Sequence, residues 1–99
     1  MSMETIIREE ARLIILKALA AQVDETLNSN ILVRELANYG INRERAWVHQ
    51  ELAYLGVMGA AVVVDAGTVK IATLTEHGRR HLDRHVAIEG VKRPSRMEA

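Results

Sequence analysis

The chain has 99 residues, 48% of them hydrophobic and 26% charged, with 13 Lys and Arg balancing 13 Asp and Glu. That length suits one small domain with a single modest core and excludes a second. The absence of Phe and Cys points to a core of Leu, Ile, Val and Ala, excludes disulfides, thiolate metal sites and a thiol nucleophile, and leads us to expect a cytoplasmic setting.

From about Glu4 to Gln22 no Gly or Pro interrupts a run rich in Ala, Leu, Ile, Arg and Glu, which predicts a first helix. Its apolar stretch, Leu13 to Ala21, is broken by Lys17 and is far short of the ~20 residues that span a bilayer, so no membrane insertion is expected. Glu4, Glu9 and Glu10 replace the basic start of a signal peptide. Leu13, Ile14, Ile15 and Leu16 point in four directions at 100° per residue, which suggests either a central core helix or one that also packs on a second subunit.

Asn28 reads as the cap of a second helix reaching about Tyr39, with Leu27 as a staple on Leu32. Its inner face is Leu32, Leu36 and Tyr39, and Gly40 ends it. Asn42 reads as the cap of a third helix with Val48, Leu52 and Leu55 inward, stopping between Gly56 and Gly59. Two helices joined by a tight turn form a helix-turn-helix candidate. Ala61 to Asp65 and Thr68 to Thr73 then read as β-branched strands of a hairpin around Ala66-Gly67. Thr75 caps a fourth helix with Leu82 and Val86 inward, ending before Gly90. Residues 1–90 thus form the domain, and 91–99 a basic tail that is either mobile or docked.

The expected fold is α+β, mostly helical with a hairpin, in the order α-α-α-β-β-α of a winged helix-turn-helix. Glu51-Leu52-Ala53-Tyr54-Leu55 and Leu74-Thr75-Glu76-His77-Gly78 make the chain resemble small winged-helix regulators of the ArsR and MarR kinds. Its closer likeness is to a family of small winged-helix proteins of Mu-like phages and prophages. That likeness is carried by Leu27-Asn28, Asn42-Arg43-Glu44-Arg45-Ala46, Glu51 to Leu55, Ala72-Thr73-Leu74-Thr75-x-x-Gly78 and Gly90-Val91-Lys92-Arg93-Pro94-Ser95. It covers nearly the whole chain and implies a winged helix with no assigned catalytic activity; such folds serve as DNA readers and as protein-docking modules alike.

For DNA, the outer side of the third helix would present Arg43, Ala46 and Gln50, flanked by Trp47, His49 and Tyr54. Arg can pair bidentately with guanine and Gln with adenine; the plainer alternative is a solvated surface, since Glu44 and Glu51 offset Arg43 and Arg45. Trp47 either packs as a flank on the second helix or, with Tyr54 seven residues on, forms an exposed stripe for a protein partner. The hairpin offers only Lys70 as a cation. His77, His81 and His85 recur every four residues and resemble, with Asp83-Arg84, half of the metal site of some ArsR-type sensors. Ser95 stands where the second half would need His, so a solvated or dimer-facing row is the leading reading and no metal or other cofactor is expected. No Ser lies in a nucleophile motif and no Gly-rich phosphate loop occurs, so no enzyme is expected.

The leading expectation is therefore a non-catalytic, prophage-type DNA-binding protein, a regulator acting as a homodimer through its first and fourth helices. Its contacts would come from Asn42, Arg43, Arg45, Trp47, His49, Gln50 and Lys70, with Lys92, Arg93 and Arg96 of the tail on phosphates. The alternative is a protein-docking module in a phage late-gene or packaging assembly.

Overall fold

The computed structural model describes residues 1–96. Its elements are α1 (Met3–Ala20), β1 (Thr26–Asn28), α2 (Ser29–Ala37), α3 (Arg45–Val57), β2 (Ala61–Ala66), β3 (Val69–Leu74) and α4 (Glu76–Leu82). The architecture is α+β, four helices around an antiparallel sheet of order β1-β3-β2. The expected order lacked β1. A three-residue strand is too short to show alternation, and this one exists through a distant partner: Thr26, Leu27 and Asn28 pair with Thr73, Ala72 and Ile71. The Thr26 and Thr73 hydroxyls meet at 2.9 Å across that pair.

α1 is the central element, packed against α2, α3, α4, β1 and β3. Ala11, Leu13, Ile14, Ile15, Leu16, Ala18 and Leu19 are all buried within one chain. The surplus apolar surface that motivated a dimer through this helix is thus absent at Leu13 to Leu16, because neighbours within the chain cover all four side chains and leave Lys17 as the exposed residue of that stretch. Among the described residues no helix is long and apolar enough to cross a membrane.

The helix starts follow local chemistry. Ser2, Asn28 and Thr75 each accept a backbone N–H from three residues on, capping α1, α2 and α4. The Asn42 cap is corrected: α3 begins two residues later, with Glu44 as its N-cap and no side-chain cap bond. Three helices end alike. Ile41 N–H bonds Leu36 O and Gly40 N–H bonds Ala37 O, with Gly40 at φ +80°; the same pair of bonds recurs from Ala60 and Gly59 to Leu55 and Gly56. Tyr39, expected on the inner face of α2, lies past the helix end and is 59% exposed.

At the end of α4 the left-handed position is Arg84, at φ +63°, with His85 and Arg84 N–H bonded to Arg80 and His81 O. No glycine marks this stop, and the fourth helix is therefore shorter than expected. Val86 and His85 fall outside it, so the three His do not share a helical face: His81 is fully buried, while His77 and His85 are exposed. The chain then turns back along α1, where Ile88, Val91 and Pro94 are buried and Lys92 N–H bonds Glu9 O at 3.2 Å. The start of the expected tail is thereby docked; residues 97–99 of it lie outside the described residues.

Candidate nucleic-acid interface

α3 divides into two sides. Trp47, Val48, Glu51, Leu52 and Leu55 are buried, whereas Arg45, Ala46, Gln50, Ala53 and Val57 are exposed. The exposed set follows helical spacing, and the small side chains of Ala46 and Ala53 would let a ligand come close to the helix backbone. Beside its first turns a surface depression of about 540 Å³ is lined by Glu44, Arg45, Ala46, His49 and the hairpin residue Thr68.

This corner is tied together by Ser29, the buried first residue of α2. Its hydroxyl accepts the Lys70 amide of β3 at 3.0 Å and lies 2.8 Å from His49 Nε2. One hydroxyl thus joins α2, α3 and the hairpin. Burial, followed by the nearby charges of Lys70 and Arg45, holds the His49 imidazole below its ordinary pKa and favours its neutral form. Sequence reasoning had passed over Ser29, since its two partners are distant in the chain.

The other side of α3 forms a polar seam with α1. The helices run side by side in the same direction, Glu4, Arg8 and Arg12 facing Trp47, Glu51 and Tyr54. Arg43, just before α3, donates two hydrogen bonds of 3.0 Å to Glu4. Trp47 Nε1 donates to the same carboxylate at 3.0 Å, and the Arg8 and Arg43 guanidiniums lie over the indole at 5.0 and 4.9 Å. The Arg43 bonds are the main cause holding the Glu4 carboxyl below its usual pKa range. Glu51, 1% exposed, is paired with both Arg8 and Arg12. Tyr54 lies under the Arg12 guanidinium at 3.7 Å and donates to Glu89 O at 2.7 Å.

Two expectations are corrected by this seam. The Trp47/Tyr54 stripe is not an exposed docking surface: Trp47 is 9% exposed and packs against side chains of α1, while the C-terminal segment engages Tyr54. Glu51 is not a solvated charge offsetting Arg43 and Arg45; it belongs to the interior. A sequence signal was available, since Glu4, Arg8 and Arg12 recur every four residues on α1.

Of the ten residues expected to touch DNA, Arg45, His49 and Lys70 gather where α3 meets the hairpin, while Gln50, exposed on α3, accepts from Arg8 Nη2 of the seam at 3.4 Å. Arg45 is exposed, with one bond of 3.5 Å to Asn30. Lys70 is paired with Asp65 across the hairpin, which lowers the Asp65 pKa. Asn42 is exposed. Arg43 and Trp47 face the seam, and Lys92 sits beside Glu10 at 3.0 Å, with Arg93 and Arg96 exposed beyond it. Because Tyr54 meets Glu89 at the end of the seam opposite Arg43, Lys92 is not brought to the Arg45 end of α3. No group of three His, Asp or Glu suited to a metal occurs among the described residues.

No protein-family model, curated protein or solved structure matches this chain.

Proposed function

We propose that the chain is a non-catalytic winged helix-turn-helix module of the Mu-like prophage kind that binds double-stranded DNA through the outer face of α3, with the β2–β3 hairpin as its wing. The observation that carries this reading is the exposed row Ala46, Gln50 and Ala53 with Arg45 and His49 alongside. A helix entering a major groove needs small residues for close approach and one or two side chains able to reach base edges. Burial of the Trp47/Tyr54 stripe also removes the surface on which a protein-docking role had rested. The Ser29 hydroxyl, which touches the His49 imidazole, is 0% exposed and so is not offered to a substrate as a nucleophile.

Phosphate contacts are few, because Lys70 and Lys92 are paired internally. Binding should therefore be modest and shallow in its salt dependence. The test is a salt-dependent titration with random duplex DNA, followed by Arg45→Ala and Gln50→Ala. Each is expected to weaken a preferred site by ~1 to 3 kcal/mol while changing random DNA less. Failure of micromolar protein to bind any duplex at low salt overturns the reading. Protein docking along the β2 edge and the adjoining end of α3, where Val62, Val64 and Val57 are exposed, then becomes the leading one.

A further inference from the structure

We propose that Arg43, Arg8 and the Trp47 indole form a receptor for a phosphate-type oxyanion, and that the Glu4 carboxylate occupies it as an internal competitor in the free chain. Under the nucleic-acid reading, on which this source of the anion rests, the displacing group is a backbone phosphate.

The geometry is that of a filled anion site. Arg43 presents both terminal nitrogens in a fork, each 3.0 Å from a different oxygen of Glu4, the arrangement by which Arg takes carboxylates and phosphates. Trp47 Nε1 adds a third donor at 3.0 Å, and Arg8 Nε lies 3.3 Å from the same oxygen. Three hydrogen-bond donors and the Arg8 charge thus converge on one carboxylate from two helices and the turn between α2 and α3.

The donors are positioned by more than the carboxylate. Both guanidiniums lie over the indole, within 5.0 Å of its centre, and the ring is itself buried. Arg8 is also held from the far side by Glu51. Glu4, by contrast, is in the first turn of α1, with its side chain 45% exposed, flanked by Met1 and Met3, which are 91% and 69% exposed. Helix termini fray readily, so Glu4 can leave while Arg43, Arg8 and Trp47 remain. Its departure would leave three guanidiniums, those of Arg8, Arg12 and Arg43, against the single carboxylate of Glu51. It would also leave the indole N–H without an acceptor, and a tetrahedral oxyanion supplies both missing features. Arg43 lies immediately before the helix proposed to meet DNA, so a phosphate at this receptor would belong to the backbone flanking the groove.

Trp47 is the only tryptophan, so its fluorescence and its single indole N–H resonance report on the site directly. Wild type, Glu4→Ala and Glu4→Gln, each checked for folding by circular dichroism, would be titrated with inorganic phosphate and separately with random duplex DNA. The expected result is a saturable phosphate response of Trp47 in Glu4→Ala and a weaker one in wild type. Duplex affinity should rise about five- to tenfold at low salt, with the log–log salt slope steeper by about 0.9. Adding Arg43→Ala to Glu4→Ala should abolish both gains. Phosphate binding by Glu4→Ala without any duplex binding supports the receptor and overturns the nucleic-acid reading. Duplex binding that is equal in wild type and Glu4→Ala, with no phosphate response, overturns the receptor and leaves that reading standing. Should the Glu4 variants fail to fold, the wild-type indole resonance decides: no movement at high phosphate overturns the proposal, and a movement lost in Arg43→Ala supports it.

Discussion

Arg12 Nε donates to Glu51 Oε1 at 2.9 Å and thereby joins α1 to α3 through a carboxylate that is 1% exposed. The same guanidinium covers the Tyr54 ring and donates from Nη1 to Gly90 O at 2.7 Å, so one side chain fastens three parts of the chain. Breaking a buried ion pair from one side leaves the other charge without compensation. Glu51→Ala, which removes the carboxylate paired with Arg12 and one of the two paired with Arg8, should therefore lower stability by about 3 to 5 kcal/mol. Glu51→Gln should recover part of that loss, because its amide oxygen still accepts one hydrogen bond. Urea denaturation of the two variants against wild type measures both.

His81 holds the C-terminal segment in a second way. Its Nδ1 accepts the Ile88 N–H at 3.0 Å and its Nε2–H donates to Lys92 O at 3.0 Å, which defines the tautomer. His81→Ala leaves both backbone groups without these partners and opens a cavity, at an expected cost of about 2 to 4 kcal/mol. Amide exchange should show the loss of protection concentrated at Ile88 to Lys92, and a uniform change across the chain would count against this anchoring role.

Thr75 both caps α4, accepting from Gly78 N–H at 3.0 Å, and donates to Gly59 O at 2.6 Å at the end of α3. Thr75→Ala should cost about 1 to 2 kcal/mol, and an unchanged melting temperature would contradict the assignment. Gly78→Ala should cost more. An added Cβ would run into the Ala60 carbonyl oxygen and lie 2.8 Å from Leu74 Cδ1, and backbone cannot give way as a flexible side chain can.

His49 makes stability depend on pH. Its pKa in the folded chain is depressed by burial, so the unfolded chain takes up the proton first as pH falls, and its contribution is fully present above the ordinary value of about 6.5. That contribution is lost as pH falls through the lower folded-state pKa. Glu4 and Asp65 are also depressed, but their contributions are lost at more acid pH, below the ordinary carboxylate range of about 4. Melting temperatures of His49→Gln and wild type should therefore converge as pH is lowered from 7 to 5, and a constant gap would rule out this assignment.

What the sequence determined by itself is what neighbouring residues settle among themselves. The caps at Asn28 and Thr75, the stop at Gly40, the inward row Val48, Leu52 and Leu55 and the hairpin depend on backbone geometry within a few residues or on one helical period, and each was legible. Tertiary structure decided the rest because the partners come from elsewhere in the chain. β1 is a strand only because β3 pairs with it, and α4 stops at Leu82 although no glycine follows, Arg84 taking the left-handed position and donating to Pro94 O. The side of α3 that carries Trp47, Glu51 and Tyr54 faces inward because α1 sets Glu4, Arg8 and Arg12 against it. In the sequence Glu51 read as a surface charge and Trp47 with Tyr54 as either a packed flank or an exposed stripe, while Arg8 and Arg12 carried no assigned role. Once paired in the folded chain, the six residues withdraw Arg43 and Trp47 from the outer face of α3 and leave Arg45, Ala46, Gln50 and Ala53 exposed there, because a buried charge or indole N–H requires a partner that only folding can supply.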